Sequence, residues 1–238
     1  MVETITILDI IRLITGITIL FYASYTDIKT RRASNLLWII IGAVGAILLL
    51  VQYFSTGFYN IYYLLFIPIM IGLVYVFYQL RLIFGGAHAK ALMAIAILVP
   101  IEPAISQIPL LKGGIMPFSW SIFSNSLIIF LFIPLSIFIF NVTKKNIKFP
   151  NAFLGYITDI KNAREKFVWP LERIVDGKRK FVYMPKDFDA EEELNEFEKN
   201  NITEIWVTPK IPFMIPLAIG FVLAFIFGDL LFYLLTLF

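Results

Sequence analysis

The sequence predicts an α-helical membrane protein: six transmembrane helices with a small mixed α/β cytoplasmic domain between helices five and six. Three observations predict it. Hydrophobic residues make up 59% of the 238 positions and charged residues 16%, against about 45–50% and about 25% in soluble domains. The chain carries 24 Phe, 11 Tyr and 4 Trp, more apolar surface than a soluble core of this length could hide. Six apolar stretches reach the roughly 20 residues that a bilayer-crossing helix needs.

The first stretch, 5–25, carries Asp9 and Arg12. It lacks a basic leading region and a small-residue cleavage site, so it reads as a retained span. The second and third cover 35–53 and 61–80 and are nearly free of charge. The fourth, 88–109, contains Pro100 and Pro103 and is the least regular, while the fifth and sixth cover 119–141 and 212–236. No internal repeat of the inverted-transporter kind is evident. Loop charge alternates. Residues 26–34 hold Lys29, Arg31 and Arg32, whereas 54–60 hold no charge; Arg81 and Lys90 flank the next loop, and Lys112 alone marks the one after. Residues 142–210 carry 13 Lys/Arg and 12 Asp/Glu. The positive-inside rule then makes loops one, three and five cytoplasmic and puts both termini outside. The expected organisation is a five-span membrane domain over 1–141, a soluble domain over 142–210 and a sixth helix over 211–238. Within the soluble piece, KRKFVYMP and ITEIWVTP read as short strands, with Asp176–Gly177 as a turn. The acidic run 187–200 reads as a solvated helical face or loop.

Composition excludes several chemistries. A net charge of +3 makes a poor case for nucleic acid. With no cysteine, disulfides, thiolate metal sites and cysteine nucleophiles are ruled out together. A single histidine cannot build a multi-His metal site. The remaining candidates are the intramembrane ionisable residues, each of which costs free energy and so invites a functional reading. At 1.5 Å per residue, Asp9 lies about 27 Å from Asp27 along the first span. Glu102 and Asp229 lie about 21 Å and 26 Å beyond the starts of their spans. All three belong to the outer side, and Asp9–Arg12 at i, i+3 reads as a structural ion pair. Asp27 closes the first span at the cytoplasmic boundary, where it either pairs with the basic loop or serves as a catalytic carboxylate. The only histidine, His88, follows Gly85-Gly86 at the entry of the fourth span and at the same face. Glycines there permit close backbone approach and unusual dihedrals.

Four segments carry a resemblance. YTDIKTRRASNLLW sets Asp27, Arg32 and Asn35 in a D-x-x-x-x-R-x-x-N pattern. GGAHAKALMAIAILVP opens the fourth span, EIWVTPKIPFMIPLAIG leads into the last, and Gly228-Asp229 lies near the C-terminus. In order and spacing the chain resembles the archaeal preflagellin and prepilin peptidases, GxGD-type intramembrane aspartyl proteases distantly akin to presenilin. The resemblance implies an aspartyl endopeptidase that removes the basic leader of preflagellins and type IV prepilins at the cytoplasmic membrane face. It implies no metal or organic cofactor. Bacterial prepilin peptidases usually carry a cysteine-bearing cytoplasmic segment and methylate the new terminus; without such a segment, methylation is not expected here. The implied partners are leader peptides and the lipid bilayer.

In that family two aspartates form the catalytic dyad. The first matches Asp27. The second falls on position 88, 61 residues later, where this sequence has His, and no other acid lies between residues 28 and 101. A carboxylate dyad works by sharing one proton, because two adjacent anions cannot both persist. An imidazole makes the pair oppositely charged and removes the acidic carboxyl partner. The expectation is a chain that is inactive or nearly so, by an introduced change ahead of a natural pseudoenzyme. Two other readings stay open: a non-catalytic protein that binds leader peptides, and a small proton-coupled transporter using Asp27 and His88 as a relay.

Overall fold

The computed structural model describes residues 2–58, 61–83, 85–111, 116–182 and 190–237. Phe84, Lys112 and residues 183–189, which include the ends of two segments read above as a strand and an acidic run, lie outside the described residues. The described residues fall into two compact units, one of positions up to 130 and from 212 onward, the other of 131–211.

The first unit contains α1 (Val2–Thr30), α2 (Asn35–Ser55), a 3₁₀ turn (Ile61–Leu65) leading into α3 (Phe66–Gln79), and α4 (Gly86–Leu98). It also holds the start of α5 (Phe118–Thr143) and, after the second unit, α9 (Met214–Phe227) and α10 (Leu230–Thr236). Among the described residues, four segments are long and apolar enough to cross a membrane: α1, α2, Ile61–Gln79 and α5. With these the chain is a multi-pass membrane protein. The other two expected spans are shorter. α4 ends at Leu98, where Pro100 forces Val99 out of helical geometry, to φ −134° and ψ 71°. Residues 99–109, expected to continue the fourth span, are irregular apart from an isolated bridge between Ile105 and Ile108. The sixth expected span is broken at Gly228, whose φ of +86° no helix tolerates. At roughly 20 Å each, α4 and α9 fall short of the roughly 30 Å hydrocarbon layer.

These two short helices form the interior. α4 packs on α2 and α3, and α9 packs on α1. On α4, Ala89, Ala91, Leu92, Ala94, Ile95, Ala96 and Leu98 are all buried. Without a hydrophobic drive between helices in lipid, close approach of small residues does the packing. A Cβ on Gly45 of α2 would sit 2.7 Å from the Leu98 Cα, so these backbones touch. Gly16 of α1 receives the Phe221 ring of α9 in the same way, and Gly220 abuts Ser126 of α5.

The second unit contains the end of α5, α6 (Asn151–Leu154), β1 (Tyr156–Asp159), α7 (Ile160–Glu165), β2 (Val168–Pro170), β3 (Glu172–Val175), β4 (Lys178–Phe181), α8 (Ala190–Lys199) and β5 (Glu204–Pro209). β5 is the centre of an antiparallel sheet ordered β1-β5-β2. Its Ile205 and Val207 are buried on one face and Trp206 on the other, as strand alternation requires. The expected Asp176–Gly177 turn joins β3 to β4, with φ of +54° and +70°, the signature of a tight hairpin turn. The acidic run is a helix from Ala190. It buries Leu194 and Phe197, while Glu191 and Glu198 reach Arg164 and Glu193 reaches Arg173.

The Gly45 contact yields a paired expectation. Gly45→Ala should lower stability by about 1–3 kcal/mol through overpacking, while Gly72→Ala on α3, with nothing within 4 Å of its Cβ, should be neutral or stabilising. Thermal unfolding in detergent distinguishes the two. In the second unit, Asp159 caps α7 by accepting from the Asn162 N–H at 2.7 Å, and this bond holds its carboxyl below the usual range. A depressed carboxyl stabilises the fold above its unfolded value, about pH 4, and the contribution is lost as pH falls through the folded value. Asp159→Asn keeps the cap, so the melting profile of that variant should lose part of its acid-side slope.

Candidate functional site

Asp27 stands one turn before the C-terminus of α1 and is 6% exposed. Lys29 lies over the Tyr25 ring, 4.5 Å from its centroid. Arg31 donates to the Asp27 backbone carbonyl. The carboxylate instead faces inward, where two elements from distant parts of the chain meet it.

The first is α4. Gly85 adopts φ +94° and ψ 126° before the helix starts, and its carbonyl accepts from His88 N–H. This sharp entry sets His88 on the first turn, with Nε2 3.9 Å from Asp27 Oδ2. That separation exceeds a hydrogen bond. The second is α9. Its leading N–H groups have no partners within the helix, and the one on Met214 donates to Asp27 Oδ2 at 3.3 Å. An anion at a helix N-terminus is favoured by the same oriented dipoles. Phe213 packs against His88, with ring centroids 5.2 Å apart, and Phe130 lies 5.6 Å from Phe213. Close by, the Lys90 ammonium on α4 donates to Asn35 Oδ1 at the start of α2, at 2.9 Å.

The structure therefore brings Asp27 and His88 together and adds a backbone donor to Asp27 and an aromatic neighbour to His88 from the Phe213–Met214 step. The resemblance rests partly on the segment holding that step but implies no role for Phe213 or Met214; the IPF run ahead of the last apolar stretch is the signal. The outer acids do not join the pair. Asp9 pairs with Arg12 at 2.5 Å, and Arg12 also donates to Gln52 Oε1 at 2.8 Å. A cavity of about 280 Å³ at this end of α1 is lined by Asp9, Arg12, Gln52 and Glu102 among others. Asp229 accepts from the Phe232 N–H and from the hydroxyls of Ser121 and Ser124. It is a helix cap with two hydroxyl partners.

The glycine pair offers a clean test of this geometry. A Cβ on Gly85 would lie 3.1 Å from His88 Nδ1 in a backbone conformation that side chains disfavour, whereas one on Gly86 meets nothing nearer than the Tyr78 hydroxyl at 3.6 Å. Gly85→Ala is expected to destabilise by more than about 1 kcal/mol and Gly86→Ala to be tolerated, as read by thermal unfolding.

Comparison with known proteins adds a separate line. Residues 147–230 match the family model described as Archaeal Peptidase A24 C-terminus Type II. The chain is 26% identical over 230 residues to a preflagellin peptidase of Methanococcus voltae, covering 90% of this chain and 94% of that protein. It is 27% identical over 236 residues to the preflagellin peptidase of Methanocaldococcus jannaschii, covering 92% and 94%. A preflagellin peptidase of Methanococcus maripaludis is 27% identical over 233 residues, covering 92% and 96%. The chain is thus similar along nine-tenths of its length to archaeal preflagellin peptidases, and in its C-terminal part to that peptidase family model.

Proposed function

We propose that this chain has the architecture of a membrane endopeptidase that removes basic leader peptides from preflagellins and type IV prepilins, and that His88 leaves it inactive or nearly so. The observation that carries the reading is the meeting of Asp27 with position 88 across 61 residues of sequence. In this reading the two positions are the catalytic dyad. Two carboxylates there would hold one proton between them. One would take a proton from the attacking water while the other polarised the scissile carbonyl. An imidazole 3.9 Å from Asp27 takes the place of the second carboxyl, so Asp27 would lack the acidic carboxyl partner on which such a dyad depends. Met214 N–H would hold Asp27 in place through either step.

Topology completes the proposal. The loop cations favour a cytoplasmic position for the Asp27 end of the bundle, for residues 142–210 and for the dyad, with both termini outside. Six crossings are inferred by counting α4 and α9 with the irregular segments that follow them. Broken helices at membrane depth are tolerated where protein buries them, and most of α4 and α9 is buried. A leader–helix junction at the cytoplasmic surface would meet the dyad where water is available. The soluble domain would help position the substrate. A second reading, retention of leader peptides without cleavage, is favoured by His88 itself.

The test is His88→Asp beside the unaltered chain on a preflagellin with its leader intact. Cleavage should appear only in His88→Asp and be lost again on adding Asp27→Asn. If neither version cuts while the leader still binds, the binding reading replaces the peptidase one. Rapid cutting by the unaltered chain would overturn the assignment of a disabled dyad.

A further inference from the structure

Just beyond α5 the chain reads Lys144-Lys145-Asn146-Ile147-Lys148-Phe149-Pro150, a basic and apolar run that includes none of the candidate site residues. Its conformation is tightly determined. Lys145 sits at φ +60°; its N–H donates to the Val142 carbonyl and the Asn146 N–H to the Asn141 carbonyl. This pair of bonds is a Schellman closure, which turns the chain sharply off the helix end. The Asn141 side-chain amide then donates to the carbonyls of Ala152 and Gly155 at 2.8 and 2.6 Å. Residues 144–155 are thus stitched to the last turn of a helix long and apolar enough to span a membrane. They cannot drift from the level at which that span leaves the bilayer.

The exposed side chains at this level have a definite chemistry. Ile147 and Phe149 are 60% and 72% exposed, although both are apolar and neighbours in a tightly held turn. Phe149 leans edge-on against Phe153, and Phe153 stacks in parallel on Phe138 of α5 at 4.2 Å. The protruding ring is therefore braced. Lys144 and Lys145 are exposed beside it. Lys148 is also largely exposed, with Nζ 3.8 Å from the buried carboxylate of Glu172.

We propose that residues 144–150 form an interfacial anchor that binds the anionic headgroups of the adjoining lipid leaflet. Ile147 and Phe149 enter the headgroup–acyl boundary, and Lys144 and Lys145 contact headgroup phosphates. Charge complementarity and direct continuity with α5 single out the lipid surface as the occupant. The inference is independent of the peptidase reading.

Because the chain has no cysteine, Asn146→Cys gives a single labelling position that leaves both apolar side chains and the backbone closure in place. The full chain carrying an environment-sensitive fluorophore there would be placed in nanodiscs of phosphatidylcholine with or without a fraction of phosphatidylglycerol. Brominated acyl chains would serve as the quencher. Quenching should be markedly stronger with phosphatidylglycerol. Lys144→Gln and Lys145→Asn should each weaken docking about fivefold; Asn at 145 accepts the left-handed backbone. Phe149→Ser should weaken docking in both disc types and Phe149→Leu should retain it, which separates anchoring from folding. Equal quenching with and without phosphatidylglycerol, or indifference to the lysine variants, overturns the proposal. So does a full response in neutral discs to soluble phosphate or to an acidic peptide.

Discussion

Close backbone contact between α2 and α4 is the constraint on which the candidate site depends. Gly45 lets the Leu98 backbone approach to a distance that any side chain would forbid. That contact, near the C-terminal end of α4, fixes the axial position of a buried helix whose first turn carries His88. At the other end, Gly85 begins the helix in a left-handed backbone region that only glycine enters without strain. Between these two glycines α4 has no freedom to slide, so His88 meets Asp27 at one register. The Phe221 ring seated on Gly16 does the same for α9 against α1, and so delivers the Met214 N–H to the same carboxylate.

Helices that stop inside a membrane protein leave backbone groups that lipid cannot satisfy. Here two acids at the end of the bundle opposite Asp27 meet that need. Asp9 accepts from the Ala104 N–H, in the irregular chain after α4, while Thr6 donates to the Ala104 carbonyl. Asp229 caps α10 just past the Gly228 break, and Asn125 of α5 bonds both the Gly228 carbonyl and the Leu230 N–H. Asp27 differs in that its carboxylate is shared between a helix N-terminus and a titratable side chain. Burial and charge alone do not separate these three acids; what each carboxylate accepts does.

Much of this was legible in the residues. Long Ile-, Leu- and Phe-rich runs announce α1, α2, α3 and α5, because only helices satisfy their backbone in lipid. Asp27 was identifiable as the acid closing the first of those runs and His88 as the single histidine at the glycine-rich entry of another apolar stretch, and Asp9–Arg12 as an ion pair at i, i+3 spacing. The Asp176–Gly177 hairpin was legible from its turn chemistry. The extent of α4 and α9 was not. Hydropathy continues through Pro100 and Gly228, and it carries no information about where a backbone stops being helical. β1, β2 and β3 also escaped notice: each has three or four residues, too few for an alternating pattern to stand out.

The sequence by itself determined that the chain is a membrane protein, which chemistries its composition forbids, and which two side chains are the candidates for the site. These follow from local composition and from the energetic cost of charge in lipid, both of which act residue by residue. Only the tertiary structure decided that Asp27 and His88 approach to 3.9 Å, that the Met214 N–H and the Phe213 ring complete their surroundings, and that two apolar runs end as short buried helices. Those outcomes rest on contacts between residues far apart in the chain, at Gly45 with Leu98 and Gly16 with Phe221, where the fit of one surface against another sets the register.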